Sequence, residues 1–493
     1  MEIVSAALFV PALMLLFYFA LRDFGKELKI RGAKGEMFWL ILSLPVLIAL
    51  AILVTRKNIP DWGLPAEQIR IVFSIVVAAL ISFFWILYLT WLDIYEREKK
   101  RYLLLVFVLG CAFTYWVFPL SDWINGLGFN LNGEGWNDFA YCVIGIGMVE
   151  ELVKFIPWFL LWRFSHQINE PFDFILYASI SALGFAFVEN ILYLNASDLT
   201  AVYARALYSS VAHMFFSSIM AYGWIWRIHR GLQPDFGLFL LLWLLASLGH
   251  GFYDFWFIHN ELNLEVLTLV FFLLNLHVWV LMKNNLINIS GFYNPALKLN
   301  SHIFLYRLVN LLLLVLIVAL VGFNMLFGQG ATASFGWHIL NQYSYVFVYI
   351  TVSFSSFQVI PGYIGSYRLP TNAFKLLLPK IIRYPDFTGY SIYMDHRAQK
   401  VYGTKNVLGA MAGAELVLKK RLVLDGLPNA YALEWEDHTY LVQFIKEHPR
   451  EDGVWQLMVL RSKHPGFENQ SYFRRTELSP LGKILVRLKQ GDK

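Results

Sequence analysis

Ionisable side chains are concentrated in four consecutive apolar segments of the sequence. These side chains are Glu150, Glu151 and Lys154 in the first segment, Glu189 in the second, His213 in the third, and His250 and Asp254 in the fourth. An ionisable group in the middle of a bilayer costs about 3 kcal/mol or more unless it is paired or hydrated. Four neighbouring segments that share this cost predict a buried polar site where their helices meet.

The spacing of these residues favours contact within each helix. Glu150 and Lys154 are four residues apart, so they lie on one helical face and can form an ion pair. Glu151 is rotated by about 100° from Glu150 and can point elsewhere. His250 and Asp254 have the same four-residue spacing, so the carboxylate can orient or charge the imidazole.

Two further acidic or basic residues lie near the ends of these segments. Both Asp173 and Arg205 lie near the end of a predicted span, so they are interpreted as residues that mark the membrane boundary. A long arginine side chain can also extend its charge to the membrane surface. Glu189 has no basic residue in its own segment, so we expect its partner on another helix. A lone His213 would be interpreted as an ordinary core histidine. Because three other helices with polar residues lie beside it in the sequence, a functional role and a structural role are equally favoured.

Glutamates and histidines on adjacent helices fit two hydrolytic chemistries. In the first, imidazole nitrogens and carboxylate oxygens bind a divalent metal such as zinc, with Glu189, His213 and His250 as the expected ligands. In the second, a glutamate activates water directly and histidines stabilise the oxyanion. The spacing alone leaves both open.

The elements that must position these residues are predicted transmembrane helices. Of the 493 residues, 58% are hydrophobic and only 15% are charged, whereas a soluble domain has about 25% charged residues. Apolar runs long enough to cross about 30 Å of hydrocarbon occur at 3–21, 37–55, 71–92, 102–121, 138–162, 173–195, 202–226, 236–257, 266–282 and 308–327, with an eleventh candidate at 338–359. We therefore predict an all-α polytopic membrane protein with 10 or 11 transmembrane helices.

A soluble α+β domain is predicted to follow the last span. Residues 431–435 and 439–444 flank a polar turn at 436–438, as in a β-hairpin; 455–460 predict another strand and 410–420 a helix. The predicted organisation is 1–137 (transmembrane helices 1–4), 138–257 (helices 5–8, with the polar residues), 258–360 (further transmembrane helices) and 361–493 (soluble domain). The positive excess of the chain lies in this last domain and is interpreted as solvated; no motif predicts a nucleic-acid partner.

Basic residues in the connections predict the orientation. The connections at 22–36 and 93–101 are rich in Lys and Arg, so they should be cytoplasmic and the N-terminus outside. Eleven spans would put the C-terminal domain in the cytoplasm, and ten would put it outside.

Four motifs resemble those of a known family in order and spacing. They are Glu150-Glu-Leu-Val-Lys154, Gly184-Phe-Ala-Phe-Val-Glu-Asn-Ile-Leu-Tyr193, His213 with Gly223 ten residues on, and Gly249-His-Gly-Phe-Tyr-Asp254. Together they resemble the PrsW family of intramembrane proteases, which is similar to the CAAX prenyl endopeptidases and bacteriocin-processing membrane proteins. The resemblance covers roughly residues 138–257.

The resemblance implies hydrolysis of a peptide bond in or near a membrane-spanning protein, with anti-sigma factors as the substrate type and the bacterial plasma membrane as the location. It implies that Glu150 activates water, with Glu151 as the alternative. The other implied catalytic residues are Glu189, His213 and His250, supported by Lys154, Asn190 and Asp254. The resemblance does not choose between the metal and the glutamate mechanism.

Two other functions remain open on the residues alone. Chains of Asp, Glu and His also form proton or cation relays in transporters, although no internal repeat of the transporter kind is found. A non-catalytic membrane scaffold or sensor that acts through the C-terminal domain is the third hypothesis.

Overall fold

The fold is known from a computed structural model. It describes residues 14, 17–25, 35–60, 62–229, 233–259, 264–288, 290 and 300–356, together with the backbone of six strands between 389 and 461. The predicted first span at 3–21 therefore lies largely outside the described residues.

Helices make up the membrane part. After a helical stretch at 17–25 they are α1 (Glu36–Arg56), α2 (Ala66–Leu92), α3 (Lys100–Phe113), α4 (Val117–Gly126), α5 (Gly135–Tyr141), α6 (Val149–Phe164), α7 (Pro171–Ala196), α8 (Ser210–His229), α9 (Phe236–Ile258), α10 (Val266–Asn288) and α11 (Ser301–Ser355). A 3₁₀ turn joins α3 to α4, and π-helical segments at Cys142–Met148 and Ala204–Ser209 lead into α6 and α8. Within the described ranges, seven helical stretches are long and apolar enough to span a membrane. The predicted polytopic α-helical class is confirmed.

α11 is a helical hairpin. Its 55 residues would extend about 80 Å as one straight helix, more than twice the hydrocarbon thickness. At Gly328 the backbone leaves the helical region with φ of 77°, a conformation that glycine adopts without steric penalty. Phe323 then stacks on Phe335 with 4.3 Å between ring centroids. The tenth and eleventh predicted spans correspond to the two halves of this hairpin.

α7 lies at the centre of the bundle and packs directly on the backbone of α3. A Cβ atom added at Gly184 would collide with the carbonyl oxygen of Phe107, and one added at Gly110 would collide with that of Ser181. Small residues permit such close approach of transmembrane helices. This close contact between α3 and α7, here called the seam, fixes the position of α7, the helix that carries Glu189.

The C-terminal region contains one antiparallel sheet. Its strands are β1 (Gly389–Asp395), β2 (Lys400–Gly403), β3 (Lys420–Leu424), β4 (Leu427–Trp435), β5 (His438–Phe444) and β6 (Val454–Arg461), in the order β2-β1-β6-β5-β4-β3. β4 and β5 pair from Trp435 opposite His438, so the predicted hairpin and the predicted strand at 455–460 are confirmed. His438 begins β5 rather than lying in the turn, and the predicted helix at 410–420 is outside the described residues.

Candidate active site

Lys154 is the centre of a buried polar cluster. Its Nζ lies 2.9 Å from Oε2 of Glu150, 2.9 Å from Oε1 of Glu151 and 2.8 Å from Nδ1 of His213. It also lies 4.3 Å from the ring centroid of Phe185. The ion pair predicted between Glu150 and Lys154 is confirmed. One ammonium group therefore joins both glutamates of α6 to the histidine of α8.

The contacts of His213 determine its protonation state. Lys154 has only donor hydrogens, so Nδ1 of His213 accepts. Nε2 of His213 then carries the hydrogen and donates it to Oε2 of Glu189, at 2.7 Å. Glu189 thus holds the outer edge of the ring, and Nδ1 faces the centre of the cluster.

His250 is oriented in the same way by a different glutamate. Its Nδ1 lies 2.9 Å from Oε1 of Glu151, and its ring stacks on Phe216 with 5.1 Å between centroids. Nε2 of His250 lies 3.3 Å from Oδ2 of Asp254 and 3.7 Å from Oε2 of Glu150. The predicted contact between His250 and Asp254 is therefore present.

Arg205 supplies the partner that Glu189 lacks in its own helix. Its Nη2 donates to Oε2 of Glu189 at 2.5 Å, and its Nε donates to Oδ1 of Asn190 at 2.6 Å. The guanidinium also lies 4.4 Å from the ring centroid of Tyr193. The interpretation of Arg205 as a residue that marks the membrane boundary is wrong. Its separation of eight residues from His213, close to two helical turns, is the signal that could have identified it.

Glu150, His213 and His250 form the group whose geometry could hold a metal. Each offers one ligand atom, and these atoms lie within 4.8 Å of one another. Oε2 of Glu150 is 4.0 Å from Nδ1 of His213 and 3.7 Å from Nε2 of His250. The sequence predicted Glu189 as the carboxylate ligand, but its Oε2 contacts the outer nitrogen of His213 and the guanidinium of Arg205. Glu150 takes that place beside the two inner nitrogens.

The cluster has one partly open side. The side chains of Glu150, Glu189 and Asp254 are 11%, 19% and 22% exposed, whereas those of the two histidines are 5% exposed or less. Four carboxylates, including that of the fully buried Glu151, face the cations Lys154 and Arg205. With neutral histidines the cluster has an excess of two negative charges, which one divalent cation would balance.

Known proteins match the part of the chain that contains this cluster. A family model described as PrsW family intramembrane metalloprotease matches residues 98–282. Proteins named Protease PrsW are similar: that of Geobacillus kaustophilus is 30% identical over 188 residues (37% of this chain, 76% of the relative). Those of Shouchella clausii (30% over 189 residues; 37% and 82%) and Bacillus subtilis (31% over 183 residues; 36% and 77%) are also similar. No solved structure matches.

Proposed function

Because the chain belongs to the PrsW family of intramembrane metalloproteases, we propose that Glu150, His213 and His250 are its catalytic centre and hold a divalent metal such as zinc. The observation that carries this proposal is the convergence of one carboxylate oxygen and two inner imidazole nitrogens within 4.8 Å. Two histidines and one glutamate are also a known ligand set of catalytic zinc sites.

The surrounding groups support the same assignment. In metal sites, the second nitrogen of a histidine ligand usually donates to a carboxylate, a backbone carbonyl or water, which fixes the tautomer and the ring orientation. Glu189 and Glu151 make this contact with His213 and His250, at 2.7 and 2.9 Å. When bound, a divalent metal supplies Lewis acidity for peptide hydrolysis.

The other polar residues receive separate roles. Lys154 and Arg205 balance the charge of the glutamates and hold them in position. We assign to Asp254 the acceptance of the proton that the attacking water loses. Its side chain is the most exposed carboxylate of the cluster, and its Oδ2 is 3.3 Å from Nε2 of His250. Asn190 keeps Arg205 directed at Glu189.

The proposed substrate is a membrane-spanning protein cleaved in or near the bilayer, of the anti-sigma-factor type that the family resemblance implies. The proposed location is the bacterial plasma membrane, with 138–257 as the catalytic helices. The two halves of α11 support eleven spans, and eleven spans would put the domain at 361–493 in the cytoplasm.

The test uses the full chain in proteoliposomes with a membrane-spanning substrate. Glu150→Gln, His213→Ala and His250→Ala should each lower cleavage by about 10³-fold or more. Chelation should stop cleavage, and added zinc should restore it. His277→Ala is the matched control, because His277 is a buried histidine outside the cluster, with Tyr349 as its partner.

Three results would contradict the proposal in different ways. Cleavage that survives the loss of Glu150 excludes this catalytic centre. Cleavage that needs Glu150 and His250 but resists chelation supports water activation by the glutamate alone. If His277→Ala is as inactive as His213→Ala, the histidine effects reflect folding.

A further inference from the structure

A second group of buried carboxylates lies at the other end of α7. Asp93 directly follows α2, Glu170 directly precedes α7, and Asp173 is in the first turn of α7. One carboxylate oxygen of each lies within 4.8 Å of the others, and the residues are 3%, 2% and 0% exposed. Asp173 and Glu189 are separated by about 24 Å along the helix axis, so this group is distinct from the candidate active site.

One oxygen of each of these carboxylates accepts a hydrogen bond from a backbone N–H group. Oδ2 of Asp93 accepts from the backbone N–H of Glu98 at 2.8 Å. Oδ2 of Asp173 accepts from the backbone N–H groups of Asn169 and Glu170, at 3.0 and 2.7 Å. The side chain of Glu170 accepts from the backbone in the capping box at the start of α7. These contacts hold the three carboxyl groups in place.

The second oxygen of each carboxylate has no hydrogen-bond partner within the described part of the chain. These atoms are Oδ1 of Asp93, Oε2 of Glu170 and Oδ1 of Asp173. A buried polar atom that lacks a partner is unfavourable, and native proteins satisfy nearly all of them. One such oxygen on each of the three grouped carboxylates indicates a missing partner, and a cation is one that all three could share.

No side chain among the described residues supplies that charge. None of the ion pairs formed there includes Asp93, Glu170 or Asp173. Glu96 and Glu98 are further acidic neighbours, and Glu98 also forms a side-chain hydrogen bond with Asp173. Arg97 acts on Asp93 only through space. Burial raises the pKa of Glu170 to about 8 and that of Asp93 to about 7.

We propose that Asp93, Glu170 and Asp173 bind one hard divalent cation, Mg²⁺ or Ca²⁺, which joins the end of α2 to the start of α7. Both ions prefer carboxylate and other oxygen ligands. The ion would hold the helix that carries Glu189 without taking part in hydrolysis. Protons shared between the carboxyl groups are the competing explanation, and the test separates the two.

The experiment uses the purified full chain in nanodiscs, stripped of metal with a chelator. Mg²⁺ or Ca²⁺ is then added in separate titrations, and the melting temperature and the bound ion per chain are measured. We expect one ion per chain and a melting temperature higher by about 3 °C or more at saturation. The ion that binds at the lower concentration identifies the preferred cation.

Isosteric variants locate the ion. Asp93→Asn and Glu170→Gln should each lose both the bound ion and the thermal shift. Glu67→Gln is the matched control, since Glu67 is exposed in the first turn of α2, at the end of that helix opposite Asp93; this variant should keep both. The two variants provide independent tests if one of them does not fold.

His213→Ala distinguishes this site from the candidate active site. An ion bound by Asp93, Glu170 and Asp173 should remain in His213→Ala. If the ion is lost there but kept in Asp93→Asn, it lies in the catalytic cluster and the proposal is wrong. If neither cation binds the wild-type chain nor changes its melting temperature, shared protons replace the cation as the explanation.

Discussion

The ammonium nitrogen of Lys154 lies 2.8 Å from Nδ1 of His213, one of the three atoms proposed to hold the metal. The same ammonium lies 2.9 Å from Oε2 of Glu150, a second of these atoms. The ammonium group and a metal ion cannot use the same lone pairs at once. Metal binding therefore requires Lys154 to release Nδ1 of His213, which has a single lone pair, whereas the carboxylates of Glu150 and Glu151 have further lone pairs and can keep their contacts with the ammonium.

This competition predicts that removing the ammonium strengthens metal binding. Lys154→Met should bind zinc at least about tenfold more tightly than the wild-type chain, a change of about 1.4 kcal/mol. Competition with a chromophoric chelator measures the affinity. Lys283→Met is the matched control, because Lys283 is also a buried lysine but contacts the carbonyl oxygens of Phe354 and Ser356. Equal or weaker zinc binding by Lys154→Met would show that the ammonium does not compete.

The role of Glu189 is tested by metal content. If Glu189 only orients His213 through Nε2 and does not bind the metal itself, Glu189→Gln should still bind zinc, with about 10- to 100-fold lower affinity. Glu150→Gln removes a ligand and should reduce zinc content to background. Zinc per chain after dialysis measures both variants. The reverse pattern, with zinc lost in Glu189→Gln and kept in Glu150→Gln, would return Glu189 to the ligand set.

Arg205 is expected to act through Glu189. Arg205→Gln should lower kcat by about tenfold or more with little change in KM, because the carboxylate that orients His213 loses its charged partner. Arg205→Lys should recover only part of the activity, since an ammonium cannot donate as a fork to both Glu189 and Asn190. The kinetics of substrate cleavage in proteoliposomes give both constants.

The matched control for Arg205 is Arg227→Gln. Arg227 also pairs with a carboxylate, that of Asp235 at 2.7 Å, but both side chains are exposed. Its loss should leave kcat within about twofold, as exposed ion pairs contribute little. Full recovery of activity by Arg205→Lys would indicate that only the charge matters.

The seam between α3 and α7 predicts a large effect of a single methyl group. Gly110→Ala should lower the free energy of unfolding by about 1–3 kcal/mol, because the methyl group meets the backbone of Ser181. Gly330→Ala is the control, since a Cβ atom there meets nothing within 4 Å; alanine should be neutral or stabilising by up to about 1 kcal/mol. Unfolding titrations in mixed micelles measure both. Similar values for the two variants would contradict the close packing.

Local spacing predicted part of the site well. The contacts of Lys154 with Glu150 and of His250 with Asp254 follow from four-residue spacing on one helix, which sequence alone defines. The partner of Glu189 depends on how α7 packs against the segment before α8. Nothing in a single sequence gives that packing, so Arg205 was misinterpreted. The expectation that Glu189 is a metal ligand stays a prediction, which the zinc content of Glu189→Gln tests.

Some features of the fold were likewise predictable from the sequence, and others were not. Hydropathy predicted the polytopic α-helical class, and the seven candidate spans of the described residues coincide with predicted spans. A run of about twenty apolar residues has few alternatives to a membrane helix. Hydropathy did not predict the π-helical segments at Cys142–Met148 and Ala204–Ser209, which widen the helix just before Glu150 and around Arg205. Such segments arise from tertiary contacts and occur often near functional sites. The reversal at Gly328 was equally hidden, because one glycine in an apolar run has many possible roles.

The direct backbone contact between α3 and α7 also limits how a substrate can reach the candidate active site. No side chain lies between Gly184 and the main chain of α3, so the two backbones are in direct contact. We expect no substrate segment to pass between them on this side of α7. Glu189 is about 140° around the helix from Gly184, and its neighbours Leu192 and Tyr193 are 53% and 51% exposed. We expect an unwound substrate segment to enter from the lipid on the side of α7 that carries Glu189, Leu192 and Tyr193. Any opening of the helix bundle should also occur on this side.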